Sequence, residues 1–165
     1  MAIKAIDIST AGIRFGYAIE TTAGTKPSAF TNFANPKSIP DLSPEPNGLD
    51  TSSLNIEAGG YKTYIEGLKD IGGSIGIGFG MSQLLLDTWN NMCEASKAAE
   101  AQSKRTWFVF YHPGLDKSFF MTGQPSKLGF PEAEVDAVWD ATAYVMPTGE
   151  IGWDTSINPT DPVSA

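Results

Sequence analysis

The sequence predicts a mainly β protein: an antiparallel sandwich or barrel with one flanking α-helix. Three observations carry this. Several segments alternate apolar and polar residues with period two, the signature of half-buried strands. Glycine (17) and proline (11) are abundant among 165 residues, so turns are frequent. Only one long stretch, residues 82–102, repeats its apolar positions at three- and four-residue spacing.

The elements follow in chain order. Residues 2–8 (AIKAIDI) alternate and then meet Ala11-Gly12. Residues 13–20 (IRFGYAIE) set Ile13, Phe15, Tyr17 and Ile19 on one face of a strand. Residues 30–39 hold a short strand. Residues 51–57 (TSSLNIE) and 61–65 (YKTYI) alternate weakly, and Glu66-Gly67 is expected to break the pattern. Residues 73–80 (GSIGIGFG) place Ile75, Ile77 and Phe79 on one face and Gly76, Gly78 and Gly80 on the other. Glycine weakens a strand, so such a row implies close approach of another group on that face. A nucleotide-binding loop competes poorly, because no Gly-Lys-Ser/Thr follows.

The helix opens at Ser82, a suitable N-cap. Leu85, Trp89, Met92, Cys93 and Ser96 form its apolar stripe, which reads as packing against a sheet. Cys93 on that stripe reads as a small buried hydrophobe, not a nucleophile. Residues 105–111 (RTWFVFY) and 117–122 (KSFFMT) form a hairpin around HPGLD, and PSKLGF bridges onward. Residues 134–146 (EVDAVWDATAYVM) read as the longest strand. Val135, Ala137, Trp139, Ala141, Ala143 and Val145 share one face, opposite Asp136 and Asp140. A turn is expected at Pro147-Thr148-Gly149, then a short strand at 150–153 and a loose tail.

One stretch stands apart. Residues 38–50 (SIPDLSPEPNGLD) hold Pro40, Pro44 and Pro46, with Asp41, Glu45 and Asp50, and Asn47-Gly48 near the end. Proline removes an amide donor and fixes φ, and each residue before it is pushed toward extended backbone. Asn-Gly favours a tight turn. The expectation is a stiff, extended, acidic arm.

The formal net charge of −8 lacks the basic stripe of a protein that grips phosphates; solubility is the commoner reason for such a charge. A single cysteine excludes an internal disulfide framework and favours a reducing compartment. The first residues lack the apolar run of a signal peptide, and no stretch approaches the length of a membrane span.

Chemistry is scarce. His112, the only histidine, precedes Pro113 in an expected turn, so any hydrolytic site would have to use it. Asp41, Glu45 and Asp50 lack the spacing of a calcium loop. Glu132/Glu134 and Asp136/Asp140 read as an acidic face rather than an acid/base pair. No catalytic or metal site and no cofactor are expected.

Taken together and in order, ISTAGIRFGYAIETTAGTKP, SIPDLSPEPNGLDTSSL, YKTYIEGLKDIGG, the helix, WFVFYHPGLDKSFFMTGQPSKLGF and EVDAVWDATAYVMPTGEIGW resemble the major tail tube proteins of long-tailed bacteriophages. The PEP of the arm and YIEGLKD are the more specific parts. The resemblance covers nearly the whole chain. It implies a β-sandwich with one helix, residues 1–153, followed by a tail at 154–165. It implies a structural virion protein, not an enzyme, that forms stacked hexameric rings around a tape-measure protein and also meets tail terminator and baseplate or distal tail proteins. DNA would pass the lumen without specific binding, and no membrane is involved. Its place is the virion tail, after assembly in the host cytoplasm. Residues 33–66 would be the loop that reaches the adjacent ring, with Asp136 and Asp140 facing the lumen.

Three alternatives stay open. One is the tube of a contractile tail or phage-like particle. Another is a small β-sandwich binding module using Trp153 and Tyr144. The last is a hydrolase built around His112.

Overall fold

The computed structural model describes residues 7–51, 64–70 and 73–162. Its elements are β1 (Arg14–Ile19), β2 (Thr31–Asn32), β3 (Pro36–Ser38), β4 (Glu45–Asp50), β5 (Tyr64–Asp70), β6 (Ile75–Gly80), α1 (Gln83–Glu100), β7 (Thr106–Tyr111), β8 (Lys117–Pro125) and β9 (Asp140–Thr155). Seven strands form one sheet in the order β2-β1-β7-β8-β9-β6-β3, every pairing antiparallel. The predicted class therefore holds: a mainly β protein with one helix.

The sheet has to curl. Its two outermost strands, β2 and β3, are separated by residues 33–35 only. A chain step from Asn32 to Pro36 spans at most about 14 Å. Seven strands laid flat would put those edges about 29 Å apart. The antiparallel sheet therefore bends into a half-barrel, and Phe33 fills the seam. Its fully buried ring lies 5.2 Å from that of Phe15, 5.8 Å from Phe79 and 5.2 Å from Trp89.

The helix covers this inner face. Ser82 caps it as expected, its Oγ accepting from the Leu85 amide at 3.1 Å. Leu85, Trp89 and Met92 are fully buried, and Ser96 nearly so. The Trp89 indole donates to the Ser126 carbonyl at 2.8 Å, which satisfies the one polar atom that this ring carries into the core. Cys93 departs from the expectation. It sits at the flank of the stripe and is only half-buried, with its thiol 3.7 Å from the same carbonyl.

The glycine row of β6 behaves as its pattern implies. Ile75, Ile77 and Phe79 are buried, and the other face is closely covered. A Cβ at Gly76 would lie 3.0 Å from the Tyr144 ring, and one at Gly78 or Gly80 would strike Ser38 or Asn35.

Several expectations fail for physical reasons. Residues 134–139 are not strand; they form a turn and an irregular run, and β9 starts at Asp140. Asp136 has φ +57°, so it ends the alternation that would have paired it with Asp140 on one face. β9 then runs on through the expected turn at Pro147-Thr148-Gly149. Met121 faces Ile151 and Gly123 faces Pro147, so residues 148–150 bulge opposite Thr122 alone. Gly149, at φ +149°, supplies the backbone that such a bulge needs.

The tail is not loose either. Asp154 and Thr155 belong to β9, and the chain beyond them returns along the outer face of β1 and β2. The Asn32 amide donates to the Thr160 carbonyl at 2.7 Å, and the Thr160 amide to the Phe30 carbonyl at 3.0 Å. Buried Pro159 lies over Gly16. Ile157 packs against a second core of Ala18, Phe30, Trp107, Val109 and Phe120. Of the N-terminal stretch expected to be a strand, residues 2–6 lie outside the described residues, and Asp7 and Ile8 are not strand.

Pro40–Gly73 forms a separate compact unit. Its core is the two-stranded antiparallel sheet of β4 and β5. The expected loop at 33–66 is thus shifted: Phe33 and β3 belong to the main sheet, and the excursion is Pro40–Gly73.

Candidate assembly surfaces

The second half of the proline stretch, Glu45–Asp50, is a paired strand rather than an unpaired arm. Glu45 faces Asp70, Pro46 faces Lys69, Gly48 faces Glu66, Leu49 faces Ile65 and Asp50 faces Tyr64. Asn47-Gly48 lies inside β4, not in a turn, and Glu66-Gly67 does not break β5. Pairing overrides the local turn preference. Pro46 is tolerated because, among the described residues, β4 pairs on one side only, and a missing donor costs little at such an edge. The register slips between Pro46 and Gly48, so Gly67 and Leu68 together oppose Asn47.

Pro40 and Pro44 lie in the lead-in to β4, which is neither helix nor strand. There Asp41 accepts the Ser43 amide at 2.9 Å, and hydrogen bonding from Ser43 holds its carboxyl below the usual aspartate range. Every residue of β4 is exposed, including Leu49. On β5, Tyr64 and Ile65 are more than half exposed, and Leu68 is 88% exposed. Isolated two-stranded hairpins are marginal in water, and exposed strand edges invite pairing. Residues 52–63, including most of TSSLNIE and the start of YKTYI, lie outside the described residues.

The two lumen candidates part company. Asp140 opens β9 opposite Gly80, and its carboxylate takes the Lys37 ammonium at 2.6 Å across the end of the sheet. Asp136 is exposed in the turn before it. Trp153 and Tyr144, both more than half exposed, do not form one platform. Trp153 faces Phe119, on the inner side with Val145, whereas Tyr144 projects from the other side over Gly76.

His112 has a local structural use. Its Nδ1 accepts the Gly114 amide at 2.9 Å, which leaves Nε2 as the donor to the Ser9 carbonyl at 2.6 Å. The ring thus ties the N-terminal turn to the turn between β7 and β8. Among the described residues, no three His, Cys, Asp or Glu side chains converge as metal ligands. Also among them, no helix is long and apolar enough to cross a membrane.

Two features escaped the sequence. Glu20 is 2% exposed, and its Oε1 accepts the Arg105 amide at 2.6 Å and the Arg105 Nε at 3.2 Å. Burial alone would raise its pKa. The bonds and charge of Arg105, with help from Trp107, outweigh that and hold it below the usual glutamate range. Only the β1–β7 register shows that residues 20 and 105 meet. The second feature is the run of residues 128–139, which leaves Phe130, Val135 and Val138 projecting into solvent. The reading of residues 134–139 as strand hid the exposure of Val135 and Val138.

No protein-family model matches the chain, and no curated protein matches it in sequence. Solved structures do. A chain from the tail of the empty GTA particle, in C6 symmetry, aligns with a TM-score of 0.58 at 11% identity, over 90% of this chain and 100% of that one. A chain of the anti-feeding prophage baseplate, six-fold symmetrised, aligns with a TM-score of 0.55 at 10% identity, over 94% of this chain and 98% of that one. The half-barrel with its helix is therefore a fold that this chain shares, over at least 90% of its length, with a chain of the GTA particle tail and a chain of the prophage baseplate.

Proposed function

We propose that this chain is a structural subunit of a phage-type tail, forming hexameric rings that stack into a hollow tube. One observation carries the reading: two chains from six-fold tail and baseplate particles align with it over at least 90% of both partners. The exposed β4–β5 hairpin supports it, because a marginal two-stranded unit gains its cover from neighbouring copies. In this reading Pro40–Gly73 reaches the next ring, tape-measure, terminator and baseplate proteins are partners, and the chain performs no catalysis. Asp140, on the face of the sheet turned away from α1, is the lumen candidate, with Asp136 beside it in sequence. DNA passes without specific contacts, and the protein resides in the virion after cytoplasmic assembly. A tube subunit of a contractile or phage-like particle is the second reading, favoured by the likeness to the prophage baseplate chain.

Electron microscopy of concentrated protein tests the proposal, beside a variant with Pro40–Gly73 replaced by a short Gly-Ser linker. Rings or tubes roughly a hundred ångströms across, the scale of six small domains around a pore, are expected for the full chain alone. Monomers under all conditions, even with an initiating tail-tip complex added, would refute the proposal.

A further inference from the structure

We propose that the groove between the start of α1 and residues 128–139 docks a basic segment of another protein through apolar anchors. The groove encloses about 480 Å³, and Met81, Leu86, Leu128, Phe130, Pro131 and Trp139 line it. Its walls are preformed. The Met81 amide donates to the Trp139 carbonyl at 2.9 Å, and the Trp139 indole lies 3.4 Å from the Pro131 carbonyl. The rings of Phe130 and Trp139 sit 5.2 Å apart.

This surface is unusually apolar for one open to water. Phe130 is 85% exposed, Val135 92% and Val138 77%, whereas Phe15, Phe33, Phe79 and Phe108 are sealed inside. Clustered exposed apolar side chains of this kind mark interaction sites.

Charge selects the occupant. Glu132 and Glu134 line an adjoining depression that shares Trp139 with the groove, Asp136 is exposed on the same run, and residues 128–139 contain no lysine or arginine. A second copy is a poor match. The hairpin, another exposed apolar element, carries Glu45, Asp50, Glu66 and Asp70 against Lys69 alone in β4 and β5. Like charges brought together oppose docking, and opposite charges steer it. A partner with an aliphatic or aromatic anchor flanked by lysine or arginine satisfies both the apolar groove and the acidic run beside it, in the manner of an amphipathic segment laid in a groove. This inference does not depend on the tail reading.

The test uses the full chain and two synthetic amphipathic peptides of equal apolar content, one of leucine and lysine, one of leucine and glutamate. Binding is followed by calorimetry at low and high salt. The lysine peptide is expected to bind, more weakly in salt, and the glutamate peptide not to bind. Phe130→Ser should weaken binding about tenfold or more, the loss expected of one anchor. The triple variant E132Q/E134Q/D136N should lose most of the salt dependence. All four positions are exposed, so folding is not at stake. Failure of the lysine peptide to bind, equal binding of both peptides, or affinity unchanged in the variants would overturn the proposal. So would self-association of the chain that Phe130→Ser abolishes, because the occupant would then be a second copy.

Discussion

Replacing Glu20 isolates a buried charge that ties the end of β1 to the start of β7. The carboxylate accepts three hydrogen bonds from Arg105, at 2.6, 3.2 and 3.3 Å. Glu20→Ala strands the Arg105 amide and leaves its guanidinium beside a void. Removing one partner of a buried pair costs 3–5 kcal/mol. The Arg105 side chain is 33% exposed, so water offsets part of this loss. The low end, about 3 kcal/mol, applies, which for a chain of this size lowers Tm by about 6–12 °C. Glu20→Gln keeps an acceptor for the amide but loses the charge. The difference between charged and neutral hydrogen bonds sets its cost at about 1 kcal/mol, or about 2–4 °C.

The pH dependence distinguishes charge from packing. The folded carboxyl titrates below its unfolded value. Its contribution is therefore complete above the ordinary glutamate range and fades as pH falls through that range toward the depressed folded value. Thermal unfolding followed by circular dichroism, at dilute concentration, should show the gap between wild type and Glu20→Gln at pH 7 shrinking toward acid pH. Parallel curves from pH 7 to pH 3 would refute the assignment of a charge-based role. A Glu20→Ala loss no greater than that of Glu20→Gln would refute the buried-pair argument.

Further predictions address the seam, the tail, the glycine row and the thiol. Phe33→Ala empties the closure between β2 and β3 and should cost about 3–5 kcal/mol in denaturant titration. Gly16→Ala would set a Cβ 2.7 Å from Pro159 and from the Thr31 carbonyl oxygen, so hydrogen exchange at the Thr160 amide should quicken sharply. Gly78→Val should collide with Ser38 and destabilise the β3–β6 pairing by about 1–3 kcal/mol, with partial rescue by Ser38→Gly. Burial pushes the Cys93 thiol up, so alkylation should be slow at pH 7 relative to a free thiol and accelerate only at more alkaline pH.

The periodic parts were legible. The alternation around Phe15 and Ile77, the aromatic run at 106–111 and the Ser82-capped helix each satisfy a local rule that tertiary packing also obeys. The glycine row announced its close neighbours for the same reason. Misreadings cluster where a long-range pairing outweighed a local preference. Asn47-Gly48 would turn in isolation, but β5 holds it extended. Pro147-Thr148-Gly149 would turn as well, but β8 carries the chain through as a bulge. The apolar alternation of residues 134–139 looked continuous with β9, and the left-handed Asp136 ended it.

By itself the sequence determined the class, the helix with its cap and stripe, and the acidic, cysteine-poor character of the surface. Those properties depend on spacing along the chain and on side-chain chemistry. Tertiary structure decided that β2 and β3 close the two ends of one curled sheet, that Glu20 meets Arg105, that the C-terminal segment packs against the second core, and that Phe130 and Val135 stay in water. Each is a matter of which distant residues become neighbours, and no local periodicity encodes that. The half-barrel forms because three residues are too short to join the edges of a flat sheet.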